Sequence, residues 1–103
     1  VNITGALISG NTFKTTSQST TYTASAGDFI LADASGGAFT ITLPAATSNT
    51  DAIIAIKKID SSGLAVTIDG NGSETIDGDL IKIISDQYVT LTLISDGSNW
   101  NIW

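Results

Sequence analysis

Two stretches of this chain alternate apolar and hydroxyl side chains residue by residue. In AFTITLP, Phe39, Ile41 and Leu43 fall on one side and Thr40 and Thr42 on the other. In QYVTLTLIS, Val89, Leu91 and Leu93 alternate with Tyr88, Thr90 and Thr92. A period of two belongs to a strand with one buried face, because successive Cβ atoms point to opposite sides. Shorter pieces repeat the pattern: Val66 and Ile68 form an inner pair in AVTID, and Trp100 and Ile102 share a face in NWNIW. Pro44 ends the first strand. No window places apolar residues at i, i+3, i+4 and i+7 over three turns, so no amphipathic helix is expected.

Turn-forming clusters separate these runs. They include Gly27-Asp28, Ser35-Gly36-Gly37, Ser61-Ser62-Gly63, Gly70-Asn71-Gly72 and Asp96-Gly97-Ser98-Asn99. Short strands spaced by about 8–12 residues indicate an all-β sandwich or barrel. The expected fold is a compact antiparallel β-sandwich or barrel of about eight short strands. Residues 20–103 form this module, and residues 1–19 are expected to be an extended N-terminal arm or shaft end, ordered by contact with another chain. The clearest hairpin is VTLTLIS, then DGSN, then WNIW, because Asp-Gly readily takes the positive φ of a tight reversal.

Two runs are apolar on both faces: AIIAIKKI (52–59) and LIKII (80–84). Each reads as a central strand covered twice, by the other sheet or by a neighbouring subunit. A domain of 103 residues has limited interior in which to hide both. Surplus apolar surface of this kind is normally covered by a partner, so association with another chain is expected.

Charge narrows the function classes. Ten acidic and 4 basic residues leave a net charge of −6, which argues against nucleic acid and against anionic lipid as partners. No apolar run is long enough to span a bilayer, so no membrane insertion is expected. Cys and His are both absent, which removes thiolate ligands, the commonest transition-metal ligand and the commonest general base. The opening VNITGALISGN lacks the basic start and long apolar centre of a signal peptide. A chain that opens at Val1 has either lost its initiator Met or been cut from something longer.

The stretch TIDGNGSETIDG (67–78) concentrates acidic and glycine residues. A calcium loop of the EF-hand type needs Gly at its sixth position and Glu at its twelfth. Counted from Asp69, those positions hold Glu74 and Leu80. A phosphate loop needs Lys and then Ser or Thr after its glycines, and none follows. Turn chemistry accounts for the stretch as two strand ends around a glycine-assisted bend. A weak Ca²⁺ site among Asp69, Asn71, Glu74, Asp77 and Asp79 is the one cofactor the sequence offers. Glu74 with Asp77, or Asp28 with Asp33, are the carboxylate pairs a glycosidase would use. Without His or Cys, catalysis is the least favoured reading, and no catalytic residue is assigned.

Lys57 and Lys58 fall on opposite faces of a strand; both are expected to reach solvent from strand edges, the alternative being that one pairs with an acidic group near a subunit boundary. Trp100 is expected in the core, across from Val89, Leu91 and Leu93. Tyr22, Tyr88 and Trp103 are the candidate ligand contacts, because aromatic rings stack on sugars and anchor interfaces.

The ordered set YTASAGDFILADASGGAFTITLPAA, IIAIKKIDSSGLAVTIDGNGSETIDG and LTLISDGSNWNIW resembles small β modules of tailed bacteriophages. The likeness covers about residues 20–103. Such modules form the distal ends of tail fibres and spikes, or stand alone as short virion proteins. The resemblance implies a viral structural protein on the virion surface, a homotrimer about the fibre axis, touching other virion proteins and a host-cell glycan or protein. Little shaft precedes the module, so a capsid decoration or head-fibre protein held to the shell by residues 1–19 is the alternative. A small polysaccharide hydrolase comes last.

Overall fold

The computed structural model describes residues 13–103. Nine strands occur among the described residues: β1 (Lys14–Gln18), β2 (Tyr22–Thr23), β3 (Asp28–Ala32), β4 (Phe39–Thr42), β5 (Ile53–Lys58), β6 (Val66–Asp69), β7 (Ile81–Ile84), β8 (Thr90–Ser95) and β9 (Trp100–Ile102). One turn of 3-10 helix covers Ala46–Ser48, and no α-helix occurs among the described residues. The expected all-β class is therefore observed.

The strands form two open sheets, ordered β1-β3-β5-β8-β9 and β2-β4-β6-β7. From β1 to β6 the chain changes sheet at every connection. Each strand consequently lies parallel to the one two places earlier: β1 with β3, β3 with β5, β2 with β4, and β4 with β6. Only the later pairs, β6–β7, β5–β8 and β8–β9, are antiparallel. The sheets are thus mixed, which corrects the antiparallel expectation. Side-chain alternation reports which face of a strand is buried and carries no information on the direction of its neighbours. Parallel neighbours need a long crossover. Here a strand of the opposite sheet serves as that crossover.

The inward rows form one core. Ile30, Ile54, Ile56, Leu93 and Trp100 come from the five-stranded sheet; Phe39, Ile41, Val66, Ile68 and Ile84 come from the other. The alternation in β4 and β6 appears directly, with every inner residue buried and each Thr on the outer side. On β8, Leu93 is buried and Leu91 partly so, while Val89 lies beyond the strand and is exposed. Trp100 is fully buried, and its indole N–H donates to the Pro44 carbonyl at 3.2 Å.

The two doubly apolar runs part company. β5 is the middle strand of its sheet, as its composition suggests. β7 is an edge strand, which corrects the expectation of a central one. Its neighbour on one side is β6, and Leu80, Ile81 and Ile83 are 57%, 45% and 56% exposed. The other sheet edges are better protected against pairing with another chain. β1 reads KTTSQ and is polar throughout, β2 is two residues long, and β9 is flanked by Thr75–Asp77.

Residues 14–18 of the expected arm form β1, in register with β3 from Lys14↔Asp28 to Gln18↔Ala32. Residues 1–12 of that arm lie outside the described residues.

Truncating a central core side chain tests this packing. Ile56→Ala should lower unfolding free energy by about 2–5 kcal/mol in urea denaturation, whereas Thr47→Ala on the exposed turn should change it by less than about 0.5 kcal/mol.

Candidate functional site

The outer face of the five-stranded sheet carries a trough, and strand register explains it. One cross-strand row runs Thr15–Phe29–Ala55–Thr92 across β1, β3, β5 and β8. Trp103 continues it, its backbone N–H donating to the Thr92 carbonyl at 2.9 Å. Small side chains at Ala55 and Thr92 thus lie between large ones at Phe29 and Trp103. Ile53 and Ile94, a register pair, bound the hollow at one end. Phe13 thickens the Phe29 wall, with ring centroids 5.2 Å apart. The hollow holds about 340 Å³, and a second of about 230 Å³ adjoins it through Phe29 and Ala55 and reaches Thr15, Leu31, Lys57 and Thr90.

Two of the three anticipated aromatic contacts stand on this face. Trp103 is 79% exposed and lines the larger hollow. Tyr88 is also exposed, and the Lys57 ammonium sits 5.3 Å from its ring centroid. Tyr88 has φ +66°, a costly value for a bulky side chain. Its backbone N–H donates to the Lys58 carbonyl at 2.6 Å, and the Gln87 side chain donates to the Ile59 carbonyl at 3.1 Å. These bonds hold the residue against β5 despite the strain and place its ring beneath Lys57.

Tyr22 is elsewhere and is already engaged. Its hydroxyl donates to Asp28 Oδ2 at 2.7 Å, and the Ser25 backbone N–H donates to the same oxygen at 2.9 Å. Asp28 is fully buried, and its other oxygen lies 3.5 Å from the Lys14 ammonium. The hydrogen bond to Asp28, then burial, then the Asp28 charge push the Tyr22 phenol above its ordinary pKa.

Lys58 departs from expectation. Its side chain is fully buried, where solvent contact was expected. β5 alternates, so when Lys57 points outward Lys58 must enter the interior. There its ammonium donates to Asp60 Oδ2 at 2.9 Å and to the Asp60 carbonyl at 3.0 Å. Asp60 also accepts from the backbone N–H of Ala34 at 2.7 Å, from that of Ser62 at 3.1 Å, and from the Ser62 hydroxyl. Desolvation pushes the Asp60 carboxyl upward, but the bonds from Ser62, Ala34 and Lys58 together outweigh it and hold the group well below the usual carboxylate range.

The first TIDG lies mostly in β6, and the second packs along β9. The Trp100 N–H donates to the Thr75 carbonyl, the Asp77 N–H to the Trp100 carbonyl, and the Ile102 N–H to Asp77 Oδ1. Gly70 is required between them, because a Cβ there would run into the Glu74 carbonyl. The candidate Ca²⁺ ligands are engaged separately. Glu74 accepts from the Ala46 N–H at 2.8 Å, Asp77 from Ile102, and Asp79 from Lys82 at 2.6 Å. No group of three acidic residues able to hold a metal occurs among the described residues. Neither carboxylate pair shares a partner: Asp33 accepts from Ser35, Asp28 from Tyr22 and Ser25.

Sequence reasoning missed Phe13, Phe29, Ala55 and Thr92. The available signal was Ile53, Ala55 and Lys57 read as one face of β5, with a small residue between two larger ones. Compared with known proteins, the chain matches no family model and no curated sequence.

Asp60 yields a pH test. Its folded pKa is depressed, so its contribution to stability is fully present above the unfolded value of about 3.9 and is lost as pH falls through the folded one. Asp33, lowered by Ser35, and Asp96, lowered by Asn99, Asn101 and Ser98, add to the same acid-side slope. The double variant Lys58→Met with Asp60→Asn removes the buried pair without leaving one charge behind. Its stability should fall less steeply than that of the parent between about pH 5 and pH 2, as read by urea denaturation at several pH values.

Proposed function

We propose that the chain is a non-enzymatic structural module of a tailed-bacteriophage virion, displayed on the particle surface as a homotrimer and used to attach to the host surface. The observation that carries this reading is the trough. It is open, walled by aromatic rings and built on a fixed sheet face, as a recognition surface should be. The carboxylates that hydrolysis would need are instead occupied in holding loops to strands. The resemblance to phage tail and virion modules supplies the biological setting.

The trimer is supported by β7. Ile81 and Ile83 form an exposed apolar strip on one face of an edge strand, with exposed Leu80 just before it, and burying this surface against two copies removes it from water. Three copies also lift a weak single-site affinity by avidity.

The purified chain should sediment as three copies, adsorb to host cells and compete with phage for them. The double variant Ile81→Asp with Ile83→Asp should sediment as one copy with an unchanged β-type circular dichroism spectrum, and should adsorb at least roughly 100-fold more weakly. Absence of adsorption by the parent chain, with immunolabel on the shell rather than the tail tip, would favour capsid decoration instead.

A further inference from the structure

We propose that the trough binds a carboxylate-bearing oligosaccharide, with Lys57 taking the carboxylate and Phe29 and Trp103 taking the apolar faces of the sugar rings. This rests on the attachment reading above and names the ligand class for it.

The distribution of cations points to an acidic ligand. The chain has 4 basic residues, all lysines. Three are committed to carboxylates: Lys14 to Asp28, Lys58 to Asp60 and Lys82 to Asp79. Lys57 forms no ion pair among the described residues, although the chain carries 10 acidic groups. It is exposed and stands over Tyr88, which contacts the cation through the ring face and leaves its three N–H donors available. It also lines the smaller hollow of the trough. Among the described residues, the lysine without a carboxylate partner therefore lies in the trough.

Geometry ties that cation to the aromatic walls. Lys57 and Ala55 share the outer face of β5, about 6.6 Å apart along the strand. That separation is comparable to one sugar unit. A ring over Ala55 and Thr92 can therefore lean on Phe29 or Trp103 while a carboxylate on the ring or its neighbour meets Lys57. Thr15, Thr90 and Thr92 set hydroxyls beside the apolar surface, suited to the hydroxyl rim of a sugar.

An acidic peptide fits less well. Peptides commonly join a sheet at an edge, through free main-chain donors and acceptors. The trough is centred on β3, β5 and β8, where each strand has a paired neighbour on both sides, and it reaches the edge strand β1 at the side chain of Thr15.

The test is calorimetric titration of the full chain with a linear hexuronic-acid oligosaccharide, with the same oligosaccharide after reduction of its carboxyls to alcohols, with a sialylated oligosaccharide, and with an acidic peptide of matching charge. At least one acidic saccharide should bind. The reduced form of the uronic oligomer should bind roughly tenfold more weakly than its acid form, as loss of one charge-assisted contact predicts. Lys57→Gln should erase that difference and Lys57→Arg should retain it. Trp103→Ala should weaken both forms, and added salt should weaken the parent more than Lys57→Gln. Failure of both acidic saccharides to bind, equal binding of acid and reduced forms, unchanged binding by Lys57→Gln, or tighter binding of the peptide would each overturn the proposal. Adsorption to host cells without saccharide binding would remove this ligand and leave the attachment reading standing. Saccharide binding without adsorption would do the reverse.

Discussion

From β1 to β6, each strand lies in the sheet opposite the one before it, and this crossing organises everything else in the molecule. Over this span, neighbours along the chain lie in different sheets, while neighbours within a sheet are two strands apart in sequence. Buried residues of both sheets therefore join one core, within which register pairs adjoin. Ile30 pairs with Ile56, and Ile41 pairs with Ile68. A slip of one residue in any strand would turn its whole inner row to solvent. The inner rows thereby dictate the outer ones. Because Ile54 and Ile56 are held inside, Ile53, Ala55 and Lys57 must face out, and the trough follows from that register.

Polar groups secure the connections between the strands. Asp60 gathers donors from Ala34, Lys58 and Ser62, so it joins the β5–β6 loop to the end of β3. Glu74 reaches the start of the 3-10 turn at Ala46, and the buried Ser95 hydroxyl donates to the Ala46 carbonyl at 2.9 Å. Asp96 closes the β8–β9 hairpin by accepting from the backbone N–H groups of Ser98 and Asn99 and from the Asn101 side chain. Acidic residues are thus numerous where loops present backbone donors, which is a structural use for them. The buried Lys58 ammonium fits the same scheme, since its donors end on one loop residue rather than in solvent.

Much of this was legible in the residues. Inner positions in β4 and β6, the buried Trp100 and the Asp96–Asn99 reversal all follow from alternation and turn chemistry. Strand direction was not legible, because alternation is the same for parallel and antiparallel neighbours. The fate of LIKII was not legible either: an apolar residue on an outer face looks identical whether a second layer covers it or the edge stands bare. Lys58 was misplaced because its charge outweighed its position in the period. The trough depends on which strands become neighbours, so Phe29, Ala55 and Thr92 could be grouped only once the register was known. Trp103 and Tyr88 stood out from the start as large side chains outside the apolar rows.

The recognition proposed above requires a rigid surface. Among the described residues, an apolar interior and side-chain-tied loops hold the trough and the exposed edge strand β7 in fixed positions, and the proposals of recognition and self-association rest on these two features. The outward row of β3 and β5 that floors the trough follows from the crossing of the chain between sheets. Cross-strand nuclear Overhauser effects test that crossing most directly. The account predicts contacts between β3 and β5 in parallel order, with Phe29 near Ala55 and Leu31 near Lys57. Contacts joining β3 to β4 as an antiparallel hairpin would contradict it.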